Sequence, residues 1–330
     1  MLMIRITFLG TSAAAPTLTR NLPAIALKRE GDLMLFDCGE GTQRQMMRYG
    51  TGFDVRDVFF THLHADHYLG IIGFVRTLWM AERADPMRLY CPRPTARTLE
   101  QAISLGFQDG KRFPVEIREL SDGDVVRRDG YEIRAFRVEH RMPALGYALV
   151  EPSRPGKFDP ERANALGIPP GPLFGKLQHG EAITLDDGRR VEPGEVVGPP
   201  RLGRKIVVSG DTLPCPATVA AARDADLLIH EATFGEDDLE RAQATFHSTA
   251  VQAAQVARAA GARRLVLTHF SNRYAQEPGL LLRQARAHFT PVEAAKDGLT
   301  IDIPLTDELA PTAATDSNTE ARECGAPALD

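Results

Sequence analysis

The chain is poor in cysteine, and its few cysteines form no pattern. Cys38, Cys91, Cys215 and Cys324 show neither paired nor metal-type spacing, which argues against a disulfide framework or a thiolate-held metal. Free thiols in a reducing cytoplasm are expected instead. No apolar run approaches the length of about 20 residues that a membrane-spanning helix needs. The opening segment, Met1 to Leu9, carries Arg5 and reads as a strand, not as a secretory signal. Basic excess is also missing. The net charge of −5 lowers the expectation of a nucleic-acid partner without excluding a local basic face. What is present is ordinary globular material: 330 residues, 43% of them hydrophobic, enough for one large domain or two small ones.

One stretch organises the rest, Thr61-His62-Leu63-His64-Ala65-Asp66-His67. It places three imidazoles and a carboxylate within six residues, between the apolar strand-like Val58-Phe59-Phe60 and a helical pattern from Leu69 to Met80. A strand end passing into a helix start is a rigid support of the kind that converging ligands require. His62 and His64, two apart in extended chain, project to one side. Asp66 and His67 fall at the turn into the helix and face a neighbouring point. Such a loop can serve two metal ions. Imidazole and carboxylate donors suit zinc first, with manganese or iron as alternatives. The rival reading, a polar loop that happens to be rich in histidine, is disfavoured because a buried cluster of this kind is costly without metal.

Strands and helices alternate on either side of that loop. In the first half, Ile4–Leu9, Ala24–Lys28, Leu33–Phe36, Asp57–Thr61, Leu89-Tyr90, Val115–Leu120, Val125-Val126 and Tyr131–Val138 read as strands. Helices are expected over 42–49, 69–80 and 94–105. Strands outnumber helices, which predicts a mixed sheet. From Glu151 to about Arg204, nine prolines and nine glycines break any periodicity, so a folded insertion projecting as an arm is expected, with a disordered linker as the alternative. Order returns with strands at 205–209, 227–230 and 265–268 and helices at 216–223, 248–260 and 280–288. Two similar halves, each a sheet with helices on one face, predict two sheets packed face to face. The folded domain is expected over 1–303, with a polar C-terminal tail, 304–330, unfolded.

Several strand ends in this plan carry ligand-type side chains. His140 follows Tyr131–Val138, Asp211 follows Lys205–Ser209, and His269 follows Leu265–Thr268. A carboxylate has two oxygens, so Asp211 is the natural bridge. One ion is assigned His62, His64, His140 and Asp211; the other is assigned Asp66, His67, Asp211 and His269. A pair of metals so held makes hydroxide available near neutral pH and polarises a substrate oxygen, which is hydrolytic chemistry at phosphorus or at a carbonyl carbon.

The HxHxDH loop with its later His, Asp and His resembles the metallo-β-lactamase superfamily, which implies a four-layer αβ/βα sandwich and a dinuclear zinc site. A finer set of motifs resembles the ribonuclease Z family within it. These are Phe8–Thr11, Phe36–Glu40, Thr61–His67, Gly146-Tyr147, Gly171–Phe174, Val197–Pro200, Ser209–Thr212, His230–Phe234, Phe246–Thr249 and Leu267–His269, in family order from residue 4 to about 303. That resemblance implies a short-form, homodimeric endoribonuclease that removes the 3′ trailer from precursor tRNA and leaves a 3′-hydroxyl on the tRNA. It places the seven ligands on the residues named above and the proton acceptor on Asp66. The acid that protonates the leaving oxygen falls on His247, with Glu231 as its partner. The insertion becomes an arm that grips the tRNA elbow, with Gly171-Pro172 in its motif. Residues 151–205 hold nine Lys or Arg against eight Asp or Glu, so no basic patch stands out. Arg154, Lys157, Arg162 and Lys176 are the phosphate-contact candidates.

Pro16-Thr17-Leu18-Thr19-Arg20-Asn21 departs from the family's Pro-x-Lys-x-Arg-Asn loop, with Leu18 where lysine is expected, which bears on the position of the cut. The competing functions are a hydrolase of small phosphodiesters or thiolesters, for which a fifty-residue arm has no use, and a non-catalytic RNA-binding relative, whose mark would be lost ligands.

Overall fold

The structure is a computed structural model that describes residues 3–105, 113–274, 277 and 279–307. The chain divides into two compact units. One runs to Pro152 and resumes over Gly203–Leu305; the other is Ser153–Leu202 with the residues after Leu305.

In chain order the first unit begins with β1 (Ile4–Gly10), β2 (Ala24–Arg29), β3 (Asp32–Phe36), α1 (Thr42–Tyr49) and β4 (Val55–Phe59). The histidine loop leads into α2 (Ala65–Tyr68) and α3 (Gly70–Met80), then β5 (Met87–Pro92), α4 (Ala96–Leu105) and β6 (Val115–Leu120). Next come β7 (Val125–Arg128), β8 (Tyr131–Arg137) and β9 (Leu145–Val150). The second unit supplies α5 (Pro160–Ala165), α6 (Pro172–Gln178), β10 (Ile183–Thr184) and β11 (Arg190–Val191). The first unit resumes with β12 (Lys205–Val208), α7 (Pro216–Ala221), β13 (Leu227–Glu231), α8 (Leu239–Thr245) and α9 (Ala250–Ala260). It ends with β14 (Leu265–Thr268), α10 (Gly279–Arg286), β15 (Val292–Ala294) and β16 (Thr300–Ile303).

Two seven-stranded sheets result, in the orders β16-β1-β2-β3-β4-β5-β6 and β15-β14-β13-β12-β9-β8-β7. Each is mixed, as expected: β16 to β3 and β7 to β12 pair antiparallel, while β3 to β6 and β12 to β15 pair parallel. The side-chain alternation of each strand explains the layers. Ile4, Ile6, Phe8, Phe36 and Phe59 of one sheet share an apolar cluster with Tyr147, Ile206, Val208 and Ile229 of the other. The opposite faces pack under α1, α3 and α4 on one side and under α7, α9 and α10 on the other. This is the expected αβ/βα sandwich. Each fully buried Phe or Ile of the central layer contributes about 1.5–3 kcal/mol through area removed from water.

Some elements were not legible beforehand. The strand β9 is almost wholly buried, so its sequence shows no alternation. The helix α9 starts at Ala250, not at Ser248, because the Thr249 hydroxyl accepts from the Gln252 N–H as the cap. The segment read as aperiodic holds α5, started by Asp159 and Pro160, and α6, started by Pro172. Its own small core joins Ala163, Ile168, Leu177, Ile183, Val191 and Val196. Cys38, Cys91 and Cys215 are buried free thiols. Cys324 and nearly all of the tail lie outside the described residues. Among those residues no helix is long and apolar enough to cross a membrane.

A buried ion pair ties the two points where the chain leaves and re-enters the first unit. Arg204, 1% exposed, donates from Nε and Nη2 to the Glu151 carboxylate at 2.7 Å each, and from Nη1 to the Ile303 carbonyl at 3.0 Å. Arg29 Nε donates to the same carboxylate at 2.7 Å. Removing one partner strands a buried charge, so Glu151→Ala is expected to cost on the order of 3–5 kcal/mol in urea unfolding. Burial opposes the charge on Glu151, but Arg204 and Arg29 outweigh it and hold the carboxyl below its ordinary value. A lowered folded value means stability that is complete above the unfolded carboxylate range and lost as pH falls through the folded one. Glu151→Ala should therefore flatten the acid limb of unfolding midpoint against pH; an unchanged limb would refute the assignment.

Candidate metal centre

The histidine loop is fixed by backbone bonds before any ligand acts. Phe60 N–H donates to the Tyr90 carbonyl at 2.8 Å, Leu145 N–H to Thr61 at 2.8 Å, and Cys38 N–H to His67 at 2.7 Å. The Tyr147 hydroxyl donates to the Phe60 carbonyl at 2.7 Å. Two close approaches demand glycine. A Cβ on Gly70 would stand 1.9 Å from the Gly39 carbonyl oxygen, and one on Gly210, at φ 65°, would stand 2.8 Å from Thr61 Cβ. Gly210 thereby lets Asp211 reach the loop from the end of β12.

The seven residues singled out as ligands, from four separate segments, converge. His62, His64, His140 and Asp211 present donor atoms within 4.8 Å of one another, as do Asp66, His67 and His269. Asp211 Oδ2 lies 3.3 Å from His67 Nε2, 3.4 Å from His269 Nε2 and 3.6 Å from His62 Nε2, between the two groups. His64 Nδ1 faces His62 Nε2 at 2.9 Å and His140 Nε2 at 3.2 Å; His67 Nε2 faces His269 Nε2 at 3.2 Å. Asp66 Oδ2 stands 3.6 and 3.7 Å from those last two nitrogens and accepts from the Ala14 N–H at 2.8 Å. Donors held ~2.0–2.1 Å from one tetrahedral ion stand ~3.3–3.4 Å apart, so the spacing suits metal.

The outer partners say the same. His140 Nδ1 donates to the Phe246 carbonyl at 3.0 Å, and a carbonyl only accepts. His67 Nδ1 donates to the Asp37 carboxylate at 2.8 Å. The Thr61 hydroxyl donates to Asp37, so it accepts from His62 Nδ1 at 3.0 Å; Thr233 donates to Glu231 and accepts from His269 Nδ1 at 2.8 Å. Each of these four rings commits Nδ1 to an outer acceptor and turns Nε2 inward, where a shared proton or a cation must separate the facing nitrogens. Such outer bonds are how metal-binding imidazoles are oriented. Burial, then the neighbouring His67, hold His62 well below its ordinary pKa. At His67 burial is outweighed by Asp211 and Asp37, which hold it well above. The cluster thus calls for positive charge that its histidines cannot all carry. It is capable of binding metal.

Beside the cluster lies a second pair. His247 Nδ1 donates to Glu231 Oε1 at 2.8 Å and sits 3.9 Å from Asp211 Oδ2. Burial works against a proton on His247, but Glu231 overcomes it and raises the imidazole to about 9. His247 with Asp211 and His269 also meets metal-ligand spacing, yet its Nδ1 is committed to Glu231. Among positive-φ residues other than glycine, Ala14, Asp37, Phe246 and His269 all border this centre, as strained backbone often does at working sites.

Asp37 and Thr233 were missed as working residues. Both stood in quoted motifs, but nothing local marks a residue that bonds a ligand distant in sequence. His230 is buried, with Nδ1 bonded to the Glu231 carbonyl and Nε2 without a hydrogen-bond partner. In the second unit Lys157 pairs with Asp307 at 2.7 Å and Arg154 donates to the Thr306 carbonyl, so both are engaged. Arg162 and Lys176 are exposed on α5 and α6; Gly171 and Pro172 are exposed at the start of α6.

Comparison with known proteins agrees with this geometry. A family model described as Anti-Pycsar protein Apyc1 matches residues 4–151, and one described as Beta-lactamase superfamily domain matches 176–270. Ribonuclease Z of Myxococcus xanthus is 61% identical over 93% of this chain and 100% of its own length. That of Gemmatimonas aurantiaca is 55% identical over 92% and 98%. The crystal structure of human tRNase Z, short form, matches with a TM-score of 0.64 at 29% identity, covering 91% of this chain and all of that one. The metallo-β-lactamase fold protein YhfI of Bacillus subtilis, at 15% identity and a TM-score of 0.66 over 92% of this chain and 100% of that one, shares the fold. With the donor cluster, the sandwich and this identity in agreement, the chain belongs to the ribonuclease Z family, metal-dependent endoribonucleases on the metallo-β-lactamase fold.

Proposed function

We propose that this protein is a zinc-dependent endoribonuclease that removes the 3′ trailer of precursor tRNA and leaves a 3′-hydroxyl on the tRNA. The observation that carries the reading is the His247–Glu231 pair set against the ligand cluster, because a site that cuts a phosphodiester must both supply a nucleophile and protonate a leaving oxygen. His62, His64, His140 and Asp211 would hold one zinc ion and Asp66, His67, Asp211 and His269 the other, with manganese or another divalent ion as substitute. Zinc so bound lowers the pKa of water and polarises a phosphoryl oxygen.

The residues do the rest. Asp66 orients the attacking water through the oxygen turned to the cluster and takes its proton. Burial resists a charge there, yet His269 and His67 hold the Asp66 carboxyl well below the ordinary range, so it is a weak base and a firm anchor. Asp37 and Thr233 keep His67 and His269 in the right tautomer. His247, protonated and steadied by Glu231, delivers its proton to the departing 3′ oxygen.

The proposal extends to architecture and setting. The first unit is the catalytic domain, 1–303, and the insertion at about 151–204 is an exosite arm for the tRNA body, with Arg162 and Lys176 the favoured phosphate contacts. Residues 304–330 are a tail. The working form is a cytoplasmic homodimer; Met47, Leu69 and Met80, 64%, 41% and 68% exposed, support an association surface on the outer helices.

Incubation with a precursor tRNA, with and without a chelator, followed by mapping of both product ends, tests the reading. A chelator-sensitive cut leaving a 3′-hydroxyl is expected. Deleting Pro155 to Gly194 should abolish that cut yet spare hydrolysis of a small chromogenic phosphodiester. Survival of tRNA cleavage after the deletion removes the arm from the account.

A further inference from the structure

Phe246 is an oddity that the chemistry so far leaves unused. The residue ends α8 in left-handed backbone, φ 61° and ψ 46°, a conformation that bulky side chains avoid. The residue is 37% exposed, and its ring joins none of the apolar clusters among the described residues. Strain kept at such a place needs a reason. Its surroundings are informative. The Phe246 carbonyl takes the outward proton of His140, and the next residue is His247. The Arg141 guanidinium lies 5.7 Å from the ring centroid and donates to the Ala244 carbonyl, which steadies one side of the ring. From His140 a cleft of about 460 Å³ leads away, lined by Arg93, Arg137, Arg141 and Met142, with Asp122 among its walls. Arg93 is paired with Glu119 at 3.5 Å, and Arg137 and Arg141 are the other cations that line the cleft.

The proposed reaction fixes a direction across this ground. A product with a 3′-hydroxyl means that the oxygen protonated by His247 belongs to the nucleotide on the 5′ side of the cut. The ribose of that nucleotide therefore lies beside His247. Its base comes within reach of the side chain one residue back, since consecutive Cα atoms are ~3.8 Å apart. We propose that the Phe246 ring is the stacking platform for the base of the nucleotide immediately 5′ of the cut, with the Arg137–Arg141 cleft taking the phosphate before it. The inference rests on the endonuclease reading above. Phe246 is then a positioning residue: it sets the leaving oxygen against His247, and it accepts any base because every base has a π-face.

A protein–RNA double cycle tests it. The wild type, Phe246→Trp and Phe246→Gly are each given an intact precursor tRNA and one made abasic at the nucleotide 5′ of the cut. Loss of a stacked base is expected to lower kcat/KM about tenfold or more in the wild type and in Phe246→Trp. In Phe246→Gly both precursors should be cut alike, near the wild type's rate on the abasic one. Glycine suits the left-handed backbone, so that variant should melt no lower than the wild type. The same abasic penalty in Phe246→Gly as in the wild type, or no penalty in the wild type, overturns the inference. A wild-type protein that leaves the intact precursor uncut overturns the endonuclease reading, and this platform falls with it.

Discussion

Asp211→Asn is expected to lower trailer removal from a precursor tRNA by about three orders of magnitude or more while RNA affinity stays within a few-fold. Asp211 Oδ2 is the one donor shared between the two groups, 3.3–3.6 Å from the inward nitrogens of His67, His269 and His62. Asparagine keeps the volume and one oxygen but removes the negative charge at the point where the two donor groups meet. Metal activation of water and phosphoryl oxygen is worth several kcal/mol, and each ~1.4 kcal/mol is tenfold in rate. Single-turnover rates at saturating enzyme measure the loss, and elemental analysis should show the metal content falling with it. A variant that keeps two ions and its rate would remove Asp211 as the bridge. In the chelated protein the same change has a second sign. Burial lowers the pKa of His67, and Asp211 is the largest influence raising it, so asparagine at 211 should bring the His67 pKa down.

His247→Ala should cost on the order of 10²–10⁴ in kcat with little change in KM, the range for loss of a positioned general acid. A precursor with a better leaving group at the cut, a 3′-phosphorothiolate on the last nucleotide of the tRNA, needs less protonation and should recover much of the loss. No recovery would move His247 from acid to scaffold. The pH behaviour follows from Glu231. Its carboxylate, 2.8 Å from Nδ1, overcomes burial and lifts the imidazole to about 9. A raised folded value means that the pair's contribution to stability is complete below the ordinary histidine range and fades as pH rises through about 9. Glu231→Gln takes away the partner charge, so burial should win and the pKa should drop. Imidazole NMR titration of the chelated protein reads this directly, and an unmoved His247 would refute the pairing.

Legibility in the sequence followed the range of the interaction. The convergence of the loop from His62 to His67 could be read because four ligand-type residues lie within one turn of chain, where spacing alone carries the geometry. His140, Asp211 and His269 could be read because each is a ligand-type residue at the end of an apolar strand, and strand ends in layered α/β folds meet on one edge. The sandwich itself followed from two stretches of strand and helix with similar plans. Where periodicity was hidden, reading failed. The strand β9 is buried on both faces, and α5 and α6 are helices of six and seven residues among prolines, too brief to show a 3.6-residue period.

What the sequence determined by itself was the inventory: which side chains can bind metal, which strands lie near them, and how many layers the apolar pattern requires. The tertiary structure alone decided how those groups are used. Only in three dimensions does Asp37 take the Nδ1 proton of His67, Thr233 that of His269, and the Phe246 carbonyl that of His140, turning the Nε2 of each ring toward one centre. The reason is physical. Hydrogen bonding acts over ~3 Å, so which proton goes where depends on neighbours tens to hundreds of residues away in the chain, and no local pattern records them.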